Sequence, residues 1–323
     1  MLDPTLTLLI ASTHNRSVTM RQKTVIVSVL FFCLVMATYI TCFEPKDGDF
    51  KYYVAGCSIF PLDHPLTFFL LHIINLFTGS AVASVICLQI LSFGFLYFMI
   101  FLVTKTLTES CIFAFVSCVF PMSFVFTFSG TPLKSVVGLG FFFLSINFLL
   151  KYDKVKTHKN LLLFFLSALL TVLSHIVTSF LLIAIFSMYL LKRDKRYLLP
   201  FGILTSIVYM ASLFIPYFES NLKVFILFKY SGLESIFVNI SAVFFVPIYF
   251  MLYVCFVTVV LVFWRYREKG FVSLALLLCS GFLLHFGFNA DWRYRFFMIV
   301  PFVLAPLIGI MCARIDRGKN NVK

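Results

Sequence analysis

A chain of 323 residues that is 61% hydrophobic, 12% charged and holds 44 phenylalanines lacks the polar surface that a water-soluble domain of this size needs. Its mean hydropathy of +1.03 and its recurrent apolar runs of roughly 18 residues or more predict an all-α, polytopic transmembrane helical bundle. The net charge of +13 lies in short basic clusters between apolar runs, a topology signal that argues against nucleic acid as a partner.

In chain order, residues 1–23 read as a cytoplasmic segment, and Leu6–Ala11 is too short for a signal-peptide core. Met20-Arg21-Gln22-Lys23 has the look of a natural start before the first span, Thr24–Phe43. The stretch 44–64 follows, with Glu44, Asp47, Asp49 and Asp63, four of the 13 acidic residues of the chain. Pro65–Phe77 is apolar but too short to cross a bilayer of about 30 Å, and is expected to be an interfacial half-helix. Further spans are expected near 81–103, 111–128, 135–150, 161–174, 176–191, 197–216, 236–264, 271–288 and 296–313, which makes ten crossings. Residues 24–313 thus form one transmembrane domain, and 314–323 a cytoplasmic tail.

With the N-terminus inside, 19 of the 26 basic residues fall on the cytoplasmic side, and the C-terminus is cytoplasmic as well. Counting Pro65–Phe77 as a full crossing would put the basic clusters at 151–159 and 192–196 outside, so the charge bias supports the half-helix. Residues 161–191 lie between those two clusters and are expected to form a shallow hairpin with Ser174-His175 at its apex. Backbone that breaks at membrane depth is tolerated where it is buried in protein or lines a cavity.

This topology leaves external loops at 44–64, 129–134, 217–235 and 289–295, and they collect the candidate chemistry. Asp47 and Asp49 in DGDFKYY are either solvated charges or a base that takes a proton from an acceptor hydroxyl. Asp63-His64-Pro65 is either a turn before the half-helix or part of a substrate site. Lys134 in SGTPLK is either a snorkelling lysine or a phosphate contact. His175 is either a packing histidine or a functional group at membrane depth. In Asp291-Trp292-Arg293-Tyr294-Arg295, two arginines defy the charge bias of the other loops, and guanidinium forks suit phosphate oxygens. The other reading is an aromatic-belt loop among ordinary headgroups. Glu219 and Glu234 complete the external acids.

Nine cysteines make no framework, because most lie in apolar spans and no CxxC or Cys/His metal spacing occurs. Only Cys42 and Cys57 could meet near the external face. No nucleotide-loop or zinc-hydrolase motif is present, Gly138 and Gly140 read as close helix packing, and neither a metal nor a cofactor is implied.

The acidic motif after the first span, the HPLTFFLLH segment and the late Arg-Tyr-Arg resemble the GT-C class of membrane glycosyltransferases. SGTPLK and SALLTVLSHIVTS are more similar to the EpsG and Wzy group of bacterial polysaccharide polymerases, which commonly carries Arg-Gln where this chain reads Pro132-Leu133-Lys134. The resemblance implies a multi-pass protein of the bacterial inner membrane. It implies a saccharide on a polyprenyl phosphate or diphosphate as substrate, with membrane lipid and other polysaccharide-assembly proteins as further partners. Asp47 or Asp49 would then be the base, and Lys134, Arg293 and Arg295 would hold the lipid phosphate. Products would be O-antigen (in lipopolysaccharide biosynthesis) or exopolysaccharide. Two other readings are a flippase or transporter for a lipid-linked saccharide, and an acyltransferase of surface glycans with His175 as base.

Overall fold

The computed structural model describes residues 25–39, 41, 48–59, 65–122, 133–193, 196, 199–203, 247–285 and 290–320. Among the described residues the regular structure is helical throughout, as an apolar chain with few internal prolines favours. The helices are α1 (Val25–Tyr39), α2 (Gly48–Ile59), α3 (Pro65–Thr78), α4 (Ala81–Thr108), α5 (Cys111–Val119) and α6 (Leu133–Lys154). They continue with α7 (His158–Ser174), α8 (Ile176–Arg193), α9 (Pro247–Arg265), α10 (Phe271–His285) and α11 (Ala290–Asn320). Three of them, α4, α6 and the Met298–Gly318 part of α11, are long and apolar enough to cross a membrane. Shorter apolar helices flank them.

Local chemistry sets the boundaries. Ser80 caps α4, its side chain accepting from the Ala83 N–H, and the helix ends where Glu109 turns to a φ of 62°. Ser110 and Thr157 cap α5 and α7 in the same way. A large core joins most of the helices, with Tyr97, Phe101, Phe142, Phe143 and Phe302 almost wholly enclosed. A smaller cluster joins Tyr53 and Cys57 of α2, Phe68 and Leu71 of α3, Val85 and Leu88 of α4, and Leu133 and Val137 of α6. The outward faces are also apolar: Phe31, Ile112, Leu162, Phe250, Leu261 and Leu278 are all exposed. A surface of that kind suits hydrocarbon better than water.

The two ends of the bundle differ in charge. At one end, Lys154 Nζ lies 3.8 Å from Glu109 and donates to Thr106 O. There also, Arg193 pairs with Asp153, Arg314 with Glu268, and Arg317 Nη2 donates to Thr108 O at 3.1 Å. These contacts bring together the C-terminal ends of α4, α6, α8 and α11 and the turn between α9 and α10. We refer to this as the basic end.

The packing of Phe164 and Phe165 on Phe186 shows that α7 and α8 form a hairpin that turns at His175. Its arms have 17 and 18 residues, about 26 Å each, and run a few residues beyond the expected 161–191. The expected half-helix is α3, whose 14 residues span only about 21 Å.

Two expected loops contain helix. The acidic stretch 44–64 includes α2, where the rings of Tyr52 and Tyr53 pack on Phe68 and draw the segment onto α3. Residues 290–295, expected in an external loop, are the first turns of α11. The expected span 111–128 begins as α5, which stops at Val119. Residues 204–246, with Glu219, Glu234, most of the expected span 197–216 and the start of 236–264, lie outside the described residues.

Candidate functional site at the end opposite the basic clusters

The hairpin turn is a joint of one residue. His175 is extended at φ −159°, and its N–H still closes α7 by donating to Thr171 O at 3.1 Å. Its carbonyl opens α8 by accepting from the Ser179 N–H, from Thr178 Oγ1 at 2.7 Å and from Ser179 Oγ at 3.0 Å. The hydroxyls of this serine and threonine serve backbone that a sharp turn would otherwise leave bare.

The imidazole is 8% exposed, and its Nε2 lies 3.4 Å from Ser135 Oγ in the first turn of α6. Gly138 makes that approach possible. A Cβ there would stand 2.8 Å from His175 Cβ and 2.8 Å from Thr178 Oγ1. The expectation that Gly138 serves close helix packing agrees with this contact.

The start of α6 is tied in turn to α2. The Lys134 N–H donates to Tyr53 Oη at 3.2 Å, and Tyr53 is 2% exposed within the smaller cluster. Asp49 occupies the first turn of α2, four residues before Tyr53, so the two positions share one helix face. A chain of contacts therefore runs from Tyr53 of α2 through the Lys134 N–H to Ser135 and His175.

Arg293, Tyr294 and Arg295 sit in the first turns of α11. The packing of Gly309 on Thr104 and Phe113, and the anchoring of Arg314 and Arg317 at the basic end, direct the start of α11 toward the opposite end. Asp47, Asp63 and His64 lie outside the described residues, as does Cys42. Cys57 is buried in the smaller cluster, and that burial pushes its thiol above the usual value. Among the described residues, no group of three or more His, Cys, Asp and Glu side chains is placed to hold a metal ion.

Tyr53 and Ser135 are the residues that sequence reasoning missed. The spacing of Asp49 and Tyr53, and the adjacency of Ser135 to Lys134, were the signals available. Chemically, the arrangement offers an imidazole beside a hydroxyl, shielded from solvent. No protein-family model matches the chain, and neither curated proteins nor solved structures give a significant match.

Proposed function

We propose that this chain is a multi-pass membrane glycosyltransferase, or a polymerase of cell-surface polysaccharide, acting on polyprenyl-linked saccharide at the external face of a bacterial inner membrane. The observation that carries the reading is the division of labour between the two ends of the bundle. Three carboxylates at the basic end lie in ion pairs: Glu109 with Lys154, Asp153 with Arg193 and Glu268 with Arg314. The opposite end holds the Ser135–His175 contact beside Lys134, and under this reading Asp49 and the arginine-bearing start of α11 complete the site there.

Under this reading an acceptor hydroxyl attacks the anomeric carbon, and Asp47 or Asp49 takes its proton. The bond to the lipid phosphate breaks, and Lys134, Arg293 and Arg295 stabilise the charge that develops on the departing oxygen. Substituting asparagine at position 47, at position 49 and at both removes the base with little change in volume. At least one of these variants is expected to lose about 10²–10⁴-fold in turnover at equal protein level in membranes. Full turnover in the double variant would exclude the first loop from proton transfer.

One observation favours a second reading. His175 Nε2 and Ser135 Oγ, 3.4 Å apart and buried, resemble a base beside a hydroxyl and would suit acyl transfer to a surface glycan. Consumption of an acyl donor in place of polyprenyl-linked sugar would select it.

A further inference from the structure

At the basic end, a groove of about 490 Å³ opens between α9 and α10. Its length is apolar, formed by Val260, Phe263, Leu274 and Leu277, and its rim carries Trp264 and Arg267. We propose that this groove binds one anionic phospholipid, with the phosphate at Arg267 and an acyl chain along the apolar length.

Three independent features point to that occupant. The first is charge. Arg267 lines the groove, Arg265 and Lys269 flank it in sequence, and the carboxylate that shares the lining, Glu268, is already engaged. Its Oε2 accepts from Arg314 Nε at 2.7 Å, its Oε1 accepts from the Gly270 N–H at 2.8 Å, and its side chain is only 3% exposed. The rim is therefore positive, and a basic pocket between helices at a membrane surface selects phosphate headgroups without a compensating cation.

The second is the backbone at Arg267. The Glu268 N–H donates to Phe263 O at 3.0 Å and the Arg267 N–H to Trp264 O at 3.2 Å, the pattern of a Schellman motif. Arg267 holds its left-handed position at φ 49°, where glycine is the ordinary residue. This turn fixes the Arg267 position at the mouth of the groove.

The third is Trp264, 85% exposed beside the groove. Its neighbours Val257 and Leu261 on α9 are exposed and apolar, so the indole lies where an apolar face gives way to charge. That is the place of an interfacial anchor. An apolar channel under a cationic, aromatic rim matches an amphiphile with one negative head. A soluble anion would leave the channel unused, and a purely apolar chain would leave the rim unused. The inference rests on the chain lying in a membrane and is independent of glycosyl transfer.

The chain has two tryptophans, so Trp292→Phe leaves Trp264 as the sole reporter. That protein, placed in phosphatidylcholine vesicles, is titrated with phosphatidylglycerol bearing brominated acyl chains, and separately with brominated phosphatidylcholine. Quenching of Trp264 is expected to saturate at a mole fraction about five-fold lower for the anionic lipid, the preference that one interfacial arginine confers. Arg267→Gly relieves the backbone while removing the cation. It should keep helicity and melting temperature at or above the parent values, and its anionic curve should fall onto the zwitterionic one. Equal quenching by the two lipids in the parent overturns the proposal, and so does a preference that survives in Arg267→Gly. Absence of quenching by either lipid also overturns it, since the groove would then be covered by the chain itself or by a second copy.

Discussion

Arg293 and Arg295 distinguish a phosphate clamp from a loop anchored among headgroups. A lysine keeps the charge and loses the planar two-pronged donor. If the arginines hold a departing phosphate, at least one Arg→Lys variant should lose about 10²–10³-fold in turnover, measured in membranes with matched protein levels. If they only anchor the start of α11, lysine serves nearly as well and Trp292→Ala is the more damaging change. Wild-type turnover in both lysine variants would remove them from the site. The sequence singled these arginines out because the charge bias assigns them to the side where basic residues are scarce. Tyr53 escaped notice for the opposite reason. Its partner, the Lys134 N–H, is 81 residues away in sequence, and no local pattern encodes a contact of that range.

Among elements, the hairpin of α7 and α8 was legible. Thirty-one mostly apolar residues between two basic clusters are too long for one crossing, and the break had to fall near Ser174-His175. The short apolar helix α3 was legible from its length alone. What the pattern concealed was α2. In GDFKYYVAGCSI the apolar and aromatic residues make no one-sided stripe, so the helix is held by the rings of Tyr52, Tyr53 and Phe68 and not by an amphipathic face. The hairpin also yields a test of whether its turn serves the site. Gly138→Ala puts a methyl 2.8 Å from His175 Cβ, and α6 has no room to retreat without disturbing Ser145 and Thr171, 3.5 Å apart farther down the same interface. We expect a loss of about 1–3 kcal/mol in unfolding measurements in detergent, as overpacking commonly costs. Turnover should fall further than stability accounts for, because His175 is displaced from Ser135. A variant as stable and active as the parent would show that this contact is not required.

Over the whole molecule, the sorting of charge is the feature that connects sequence to architecture. The residues assigned to one side by charge bias (Lys105, Lys154, Arg193, Arg314 and Arg317 among them) belong to helix ends that meet through ion pairs and carbonyl contacts. That agreement concerns which helix ends meet, and the side of the membrane they face has its own test. Reporter fusions at Lys154 and Lys195 should read cytoplasmic, and fusions at Gly48 and Asn289 external. An external signal at Lys154 would invert the basic end and dismantle the proposed site.

The most direct test of glycosyl transfer follows the lipid-linked substrate itself. Purified protein in proteoliposomes is given a labelled saccharide on polyprenyl diphosphate, and the glycosidic product and the freed polyprenyl diphosphate are measured together. The account predicts that both appear in step, and that both are lost in the Asp47→Asn, Asp49→Asn double variant. A saccharide that crosses the bilayer still attached to its lipid, or that remains unchanged with folded protein present, would contradict it.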